Sequence, residues 1–339
     1  MTAALWHNTG LHASPLNASD QPDIEAPGWL TIRDVVIKDE LSPTFSYSYI
    51  AQVQYRNQPG LLTCRAVCPD VEQEIHVGKY IQEGDPEQFG IASTVKDSFA
   101  KLAMTADIGR RHCAIFTWSN GVSLMEYMQQ LSPAERESVL PDIIVQIIEA
   151  LEYLQAISFV HENINPDYII VSPGGPDGAP KVTITGLHTV QGHYMSPEYI
   201  RRMSAAFHER FPWIEGTYGY RPPEDYSPAL VVNPYKRMSW MLGATIYAAL
   251  TGLPPYGFTR LPAGLAIWPE HQLSEEMLNA VVSGQNPFQL TQVTQNQSLV
   301  KLVDTLMKVS QDSRPTIGEL DPALISRLFI GNEADMMDR

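Results

Sequence analysis

The densest run of chemistry-bearing side chains is His161-Glu162-Asn163-Ile164-Asn165-Pro166-Asp167-Tyr168. It gathers an imidazole, carboxylates, amides and a phenol into one short stretch. The residue types restrict what that stretch does. An amide at Asn163 does not take up a proton as a carboxylate does, and the Tyr168 phenol is a poor ligand for a hard cation. Glu162 and Asp167 are the carboxylates left for proton or metal work. Other chemistries find little elsewhere in the chain. There is no Gly-x-Ser-x-Gly elbow, and no His pair has metalloprotease spacing. His188, His193 and His208 share no common period. The cysteines, Cys64, Cys68 and Cys113, form an odd, sparse set without zinc-ligand spacing. They read as buried small hydrophobes rather than a disulfide framework.

Strands dominate the first third. Trp29–Ile37, Tyr47–Tyr55 and Leu61–Val67 are rich in β-branched and aromatic residues, and Arg56-Asn57-Gln58-Pro59-Gly60 between the last two is a hairpin signal. Pro86–Met104 predicts a helix with Phe89, Val95, Phe99 and Leu102 turned to a core and Asp85 as its N-cap. Cys113–Trp118 predicts a strand. Helices follow. Ser132-Pro133-Ala134-Glu135 is a capping box opening a short helix that Pro141 should end or kink. Ile143, Ile147, Leu151 and Leu154 then fall at helical spacing. Tyr168–Val171 and Lys181–Ile184 predict a strand pair; Tyr235–Leu250, Leu299–Val309 and Ile317–Ile325 predict helices. Strands first and helices second point to an α+β chain of two lobes.

Ordered landmarks then carry a resemblance. His161–Val171 resembles the catalytic loop of the protein kinases, and Lys181–Leu187 resembles the strand entering their Asp-Phe-Gly motif. Glu215–Glu224 resembles the end of an activation segment, with Ala-Pro-Glu matched by Pro222-Pro223-Glu224. Ser239–Tyr247 with Leu250–Tyr256 resembles the Trp-Ser-Leu-Gly helix and its Thr-Gly-x-x-Pro ending. Ser313-Arg314-Pro315-Thr316 resembles the family's late Arg-Pro-Thr. The match runs from about Ile115 to Leu320 and is only approximate before that. It implies a two-lobed kinase-like fold: a flexible lead-in at 1–25, a β-rich N-lobe at 26–118, a mainly helical C-lobe at 119–330 and a tail at 331–339. It also implies a structural ion pair between Glu224 and Arg314.

The same resemblance shows what is missing. Asn163 stands at the proton-accepting Asp, Tyr168 at the metal-binding Asn, and Ile184 at the Asp of Asp-Phe-Gly, with Thr183 or Thr185 offered by neighbouring registers. Phosphoryl transfer depends on those groups to position a hydroxyl and hold the cations that neutralise phosphate charge. The hairpin Phe45–Val53 lacks the family's phosphate-cradling glycines, and Arg65 replaces the third-strand Lys, keeping its charge but not its compact geometry. The family's Glu partner on the next helix finds no clear place between Pro69 and Arg111. Phe116 sits at the back of the implied cleft, as core or as a plug. Met238 replaces an Asp that caps the catalytic loop, which suggests a less rigid loop. The segment from Gly186 to Glu224 is long enough to bind or regulate.

Composition bounds the rest. An apolar content of 44% over 339 residues supports a sizeable core, and a formal charge of −15 argues against nucleic-acid or anionic-membrane binding. No apolar run reaches membrane-spanning length, and the N-terminus has no secretory signal, so a cytoplasmic setting is the default, with export as an effector left open. The expectation is a pseudokinase without cofactor or metal. It would act as a scaffold or allosteric regulator for a protein partner such as an active kinase. The alternatives are a nucleotide switch that works without metal, with Arg65 on the phosphate, and an atypical kinase or other nucleotide-dependent transferase using Glu162 or Asp167.

Overall fold

The computed structural model describes residues 30–39, 48–65, 69–108, 111–174, 178–192, 217, 219–226, 232–255, 258–261, 264–267, 290–292 and 294–329. The lead-in, the tail, Phe45–Tyr47, Cys68, His193, His208 and the Arg65 side chain lie outside them. The chain folds as two compact units, Met1–Gly121 with Thr183–Val190, and Val122–Val182 with Gln191–Arg339.

The first unit is built on β1 (Leu30–Asp39), β2 (Ser48–Tyr55), β3 (Gln58–Arg65), β4 (Lys101–Ile108) and β5 (Arg111–Thr117), with α1 (Pro69–Glu83) between β3 and β4. They form one sheet in the order β1-β2-β3-β5-β4. The β2–β3 hairpin is tighter than its sequence predicts. Tyr55 pairs with Gln58, so only Arg56 and Asn57 turn the chain, both in the left-handed region at φ 48° and 64°. A two-residue turn of that hand matches strand twist, and Asn tolerates it best. Pro59 and Gly60 therefore belong to β3.

The predicted helix over Pro86–Met104 is a correction. The helix of this region is α1, and Pro86–Phe89 and Ser93–Ser98 are single 3-10 turns, the first capped by Asp85 as anticipated. Residues Lys101–Ile108 alternate exposed and half-buried along β4, a period of two that the apolar spacing Phe99, Leu102 concealed.

The cysteine reading is corrected as well. Cys64 and Cys113 are fully buried, as small hydrophobes would be, but they are joined in a disulfide. They face each other across β3 and β5 with Cα atoms 4.2 Å apart. That juxtaposition exists only after the sheet has formed. Closing a loop of 49 residues is worth about 4 kcal/mol in the chain-entropy model.

The second unit begins with β6 (Val122–Ser123), α2 (Leu124–Gln129) and α3 (Pro133–Ala156). Ser132 Oγ accepts from Glu135 N at 3.4 Å, and Glu135 Oε2 accepts from Ser132 N at 2.7 Å, completing the capping box. Of the two outcomes expected at Pro141, an end or a kink, the end is excluded: the helix runs on through a buried face from Leu140 to Leu154. Tertiary packing of that face outweighs one lost backbone bond. The Ser132→Ala variant is expected to lose about 1 kcal/mol in urea unfolding.

Next come β7 (Phe159–His161), β8 (Ile169–Ser172) and β9 (Lys181–Ile184), whose second half passes into the first unit, then β10 (Val190–Gly192). The buried helix α4 (Pro234–Thr251) starts on the Asn233 cap and stops at Gly252, φ 79°. After β11 (Phe258–Leu261) and β12 (Gly264–Ile267), α5 (Gln297–Leu306) packs on α4 at Gly243. There an added Cβ would lie 2.6 Å from Met307 Cγ and 2.9 Å from Leu306 Cβ. The predicted last helix is a 3-10 turn, Ile317–Glu319, followed by α6 (Pro322–Ser326). Strand-rich first and helix-rich second, the described chain is α+β. No helix among the described residues is long and apolar enough to cross a membrane.

Candidate functional site

The loop after β7 is held by its own amides. Asn163 N donates to His161 Nδ1 at 3.3 Å, which turns the loop back on the strand end. Asn163 Oδ1 accepts from three donors: Thr217 N at 2.7 Å, Thr217 Oγ1 at 2.9 Å and Asn165 Nδ2 at 3.0 Å. Asn165 Nδ2 also reaches Thr217 Oγ1 at 2.9 Å, and Asn165 Oδ1 accepts from Asp167 N at 2.9 Å, capping the 3-10 turn Pro166–Tyr168. A carbonyl oxygen has two lone pairs, so Asn163 is saturated as an acceptor. The Asn163 side chain is neutral, buried and committed to Thr217, 54 residues later.

The carboxylates of the loop have different fates. Asp167 is partly buried, and dehydration pushes its carboxyl up to about 6. Buried Tyr220 is pushed well above the usual phenol range, first by burial and then by the Asp167 charge. Glu162 contributes its backbone: its carbonyl accepts from Arg237 Nη1 at 2.7 Å. Arg237 Nε in turn donates to both oxygens of Asp225, at 3.0 and 2.8 Å, with both side chains almost fully buried. Burial raises Asp225 to about 6 although the Arg237 charge pulls it down. Burial opposes the Arg237 charge, but Asp225 and Glu162 outweigh it and hold the guanidinium above its ordinary value.

Although Met238 supplies no cap to this loop, its helix holds the loop by other groups. Met238 is indeed buried and apolar, but the residue before it reaches back to anchor Glu162. Thr245 Oγ1 donates to Ile164 O at 3.4 Å from the same helix. Sequence reasoning missed Arg237, Asp225, Asn165 and Thr217. The usable signal was chemical: a charged residue inside so apolar a helix requires a buried partner.

Beside this anchor lies a second pair. Arg314 donates to Glu224 from Nη1 at 2.6 Å and from Nη2 at 3.1 Å. Its other hydrogens go to the carbonyls of Lys308, Lys236 and Val309, and its guanidinium lies 4.9 Å from the Trp240 ring centroid. Adjacent carboxylates, Glu224 and Asp225, are thus each neutralised by a separate buried arginine.

In the first unit, Ile184 is fully buried, its carbonyl accepting from Ala100 N at 2.9 Å. Thr183 and Thr185, the neighbouring registers, are buried too. Glu74 on α1 is buried against β3, where Thr63 Oγ1 donates to Oε1 at 3.5 Å. Phe116 is buried on α1, where a Cβ at Gly78 would lie 2.6 Å from its ring. Among the described residues no three His, Cys, Asp or Glu side chains gather as a metal site.

No protein-family model matches the chain. Over 114 residues, 33% of the chain, it is 28% identical to 3-phosphoinositide-dependent protein kinase 1 of Arabidopsis thaliana. Part of the chain is therefore similar to a protein kinase. The matched stretch spans 21% of that relative's length.

Proposed function

We propose that this chain has a two-lobed protein-kinase-like fold, transfers no phosphate, and works as a platform or allosteric regulator for a protein partner, an active kinase being the leading class. The observation that carries this reading is the closed network at Asn163. A phosphotransfer base needs a carboxylate with a free lone pair facing the substrate hydroxyl. Asn163 offers an amide whose oxygen already accepts three hydrogen bonds within the protein. Ile184 and Tyr168 supply no anionic ligand at the positions the family uses for magnesium. The Glu224–Arg314 and Asp225–Arg237 pairs support a rigid helical unit maintained for its surface.

The reading is tested by thermal shift with ATP, with and without magnesium, beside incorporation of labelled phosphate into protein. A ligand at a hundred times its Kd would stabilise the native state by about 2.7 kcal/mol, so an unchanged melting temperature is the expected result. Stabilisation that persists in EDTA would instead favour a metal-independent nucleotide switch. Label incorporation abolished by Glu162→Ala or Asp167→Ala would establish a transferase and overturn the proposal. The Asn163→Asp variant alone is expected to restore no phosphotransfer, because it places a carboxylate among the same three donors and supplies no metal ligand.

A further inference from the structure

The disulfide lies where it can control more than the two strands it joins. Cys64 and Cys113 share one face of the sheet with Leu62, Ile115, Val53, Tyr55 and Ile108, packed as one cluster. The alternate residues of the same two strands point to the other face, where α1 lies. Thr63, next to Cys64, donates to Glu74 of α1. Phe116, three residues beyond Cys113, closes against Gly78 of α1, with no room for even a Cβ between them. The bond therefore ties together, from behind, the two strands that seat this helix.

The bond stands alone among the described residues, and its burial sets how it can change. The chain has three cysteines, too few for a framework of several bridges, and a reducing compartment would hold such thiols reduced until an oxidant arrives. Both cysteines are fully buried, so a reagent reaches them only when β3 and β5 part locally, which makes the change slow and conditional on sheet opening.

We propose that Cys64 and Cys113 form a reversible redox latch that fixes α1 on the sheet when oxidised and loosens it when reduced, leaving the helical unit unaffected. The oxidant is a small disulfide such as oxidised glutathione. The thiolate of one cysteine attacks the glutathione disulfide, expelling one glutathione thiol. The second cysteine then attacks that mixed disulfide and expels the other. Two protein thiols lose two protons and two electrons, one S–S bond forms, and one is reduced to two thiols. The latch goes beyond the platform reading and stands or falls without it, since its test involves neither nucleotide nor partner.

The experiment uses the full chain equilibrated in oxidised glutathione or in dithiothreitol. Alkylation in denaturant with peptide mass spectrometry counts free thiols, and hydrogen exchange follows the backbone. In oxidised glutathione Cys64 and Cys113 are expected to resist alkylation, and in dithiothreitol to react. Reduction should speed exchange in Pro69–Glu83 about tenfold or more, with α3 unchanged. The Cys64→Ala/Cys113→Ala double variant should show the reduced pattern in both buffers, separating loss of the bond from any effect of the reductant. The proposal is overturned if both thiols stay free in oxidised glutathione, or if dithiothreitol never opens the bond in the native protein. Equal exchange of α1 in the two states, or equal loosening of α3, would overturn it as well.

Discussion

Replacing Arg314 by Met is expected to cost about 3–5 kcal/mol in chemical unfolding, the range for breaking a buried ion pair from one side. Arg314 is fully buried, and its removal leaves the Glu224 carboxylate in a site with 2% side-chain exposure. The backbone carbonyls of Lys308, Lys236 and Val309 lose a donor at the same time, and Trp240 loses the cation over its ring. The reverse substitution should cost less. In Glu224→Gln the guanidinium keeps those carbonyls, and a neutral amide still accepts one hydrogen bond. The Glu224→Gln/Arg314→Met double variant should recover part of the single Arg314 loss, because no buried charge is left uncompensated. Urea unfolding of the four proteins measures this cycle. Equal losses from the two single variants would mean that the carbonyl and aromatic contacts contribute nothing, contrary to the geometry.

Glu224 and Arg314 were legible in the sequence because each sits in a short motif whose order along the chain is recognisable. Arg237 was legible only as a charge needing some buried partner, since that partner, Asp225, lies 12 residues earlier in a turn and no local pattern joins the two. That Asn163 offers an amide and no carboxylate was readable from residue type alone. Its closure onto Thr217 was not, because that depends on how a long intervening segment returns. Periodicity misled at Leu102, where apolar spacing suited a helix but the chain pairs with β5 as a strand. Isolated strands and turn residues were visible locally, as in the Arg56-Asn57 hairpin. The disulfide needed the order of strands in the sheet, which places β5 directly beside β3 although 49 residues separate the cysteines. Information that lives in tertiary register has no local signature.

Replacing Arg237 by Met is the companion test, and it reads the loop rather than only the fold. The loss should again be about 3–5 kcal/mol, since Asp225 is left buried without its cation. Beyond this, amide exchange in 161–167 should accelerate, because the Glu162 carbonyl loses its hydrogen bond from the α4 guanidinium while the contacts of Asn163 with Thr217 and of Ile164 with Thr245 remain. The pH dependence separates anchoring from bulk. Asp225 titrates at about 6 in the folded state against 3.8 for the free side chain, raised first by burial and also by Glu224, with Arg237 and Arg221 pulling it down. A raised carboxyl means that the native state binds more protons than the unfolded state between those values. Its contribution to stability is therefore fully present below about pH 4 and is lost as the pH rises through about 6. Asp167, also at about 6, acts in the same direction. In Asp225→Asn the first contribution vanishes, and stability should fall less steeply from pH 4 to 6 than in the parent. In Arg237→Met the lowering influence of the cation is gone, so Asp225 should titrate higher and the fall in stability should extend above pH 6. A loop whose rigidity came from packing alone would show neither the shifted titration nor the faster exchange, even if the variant were less stable.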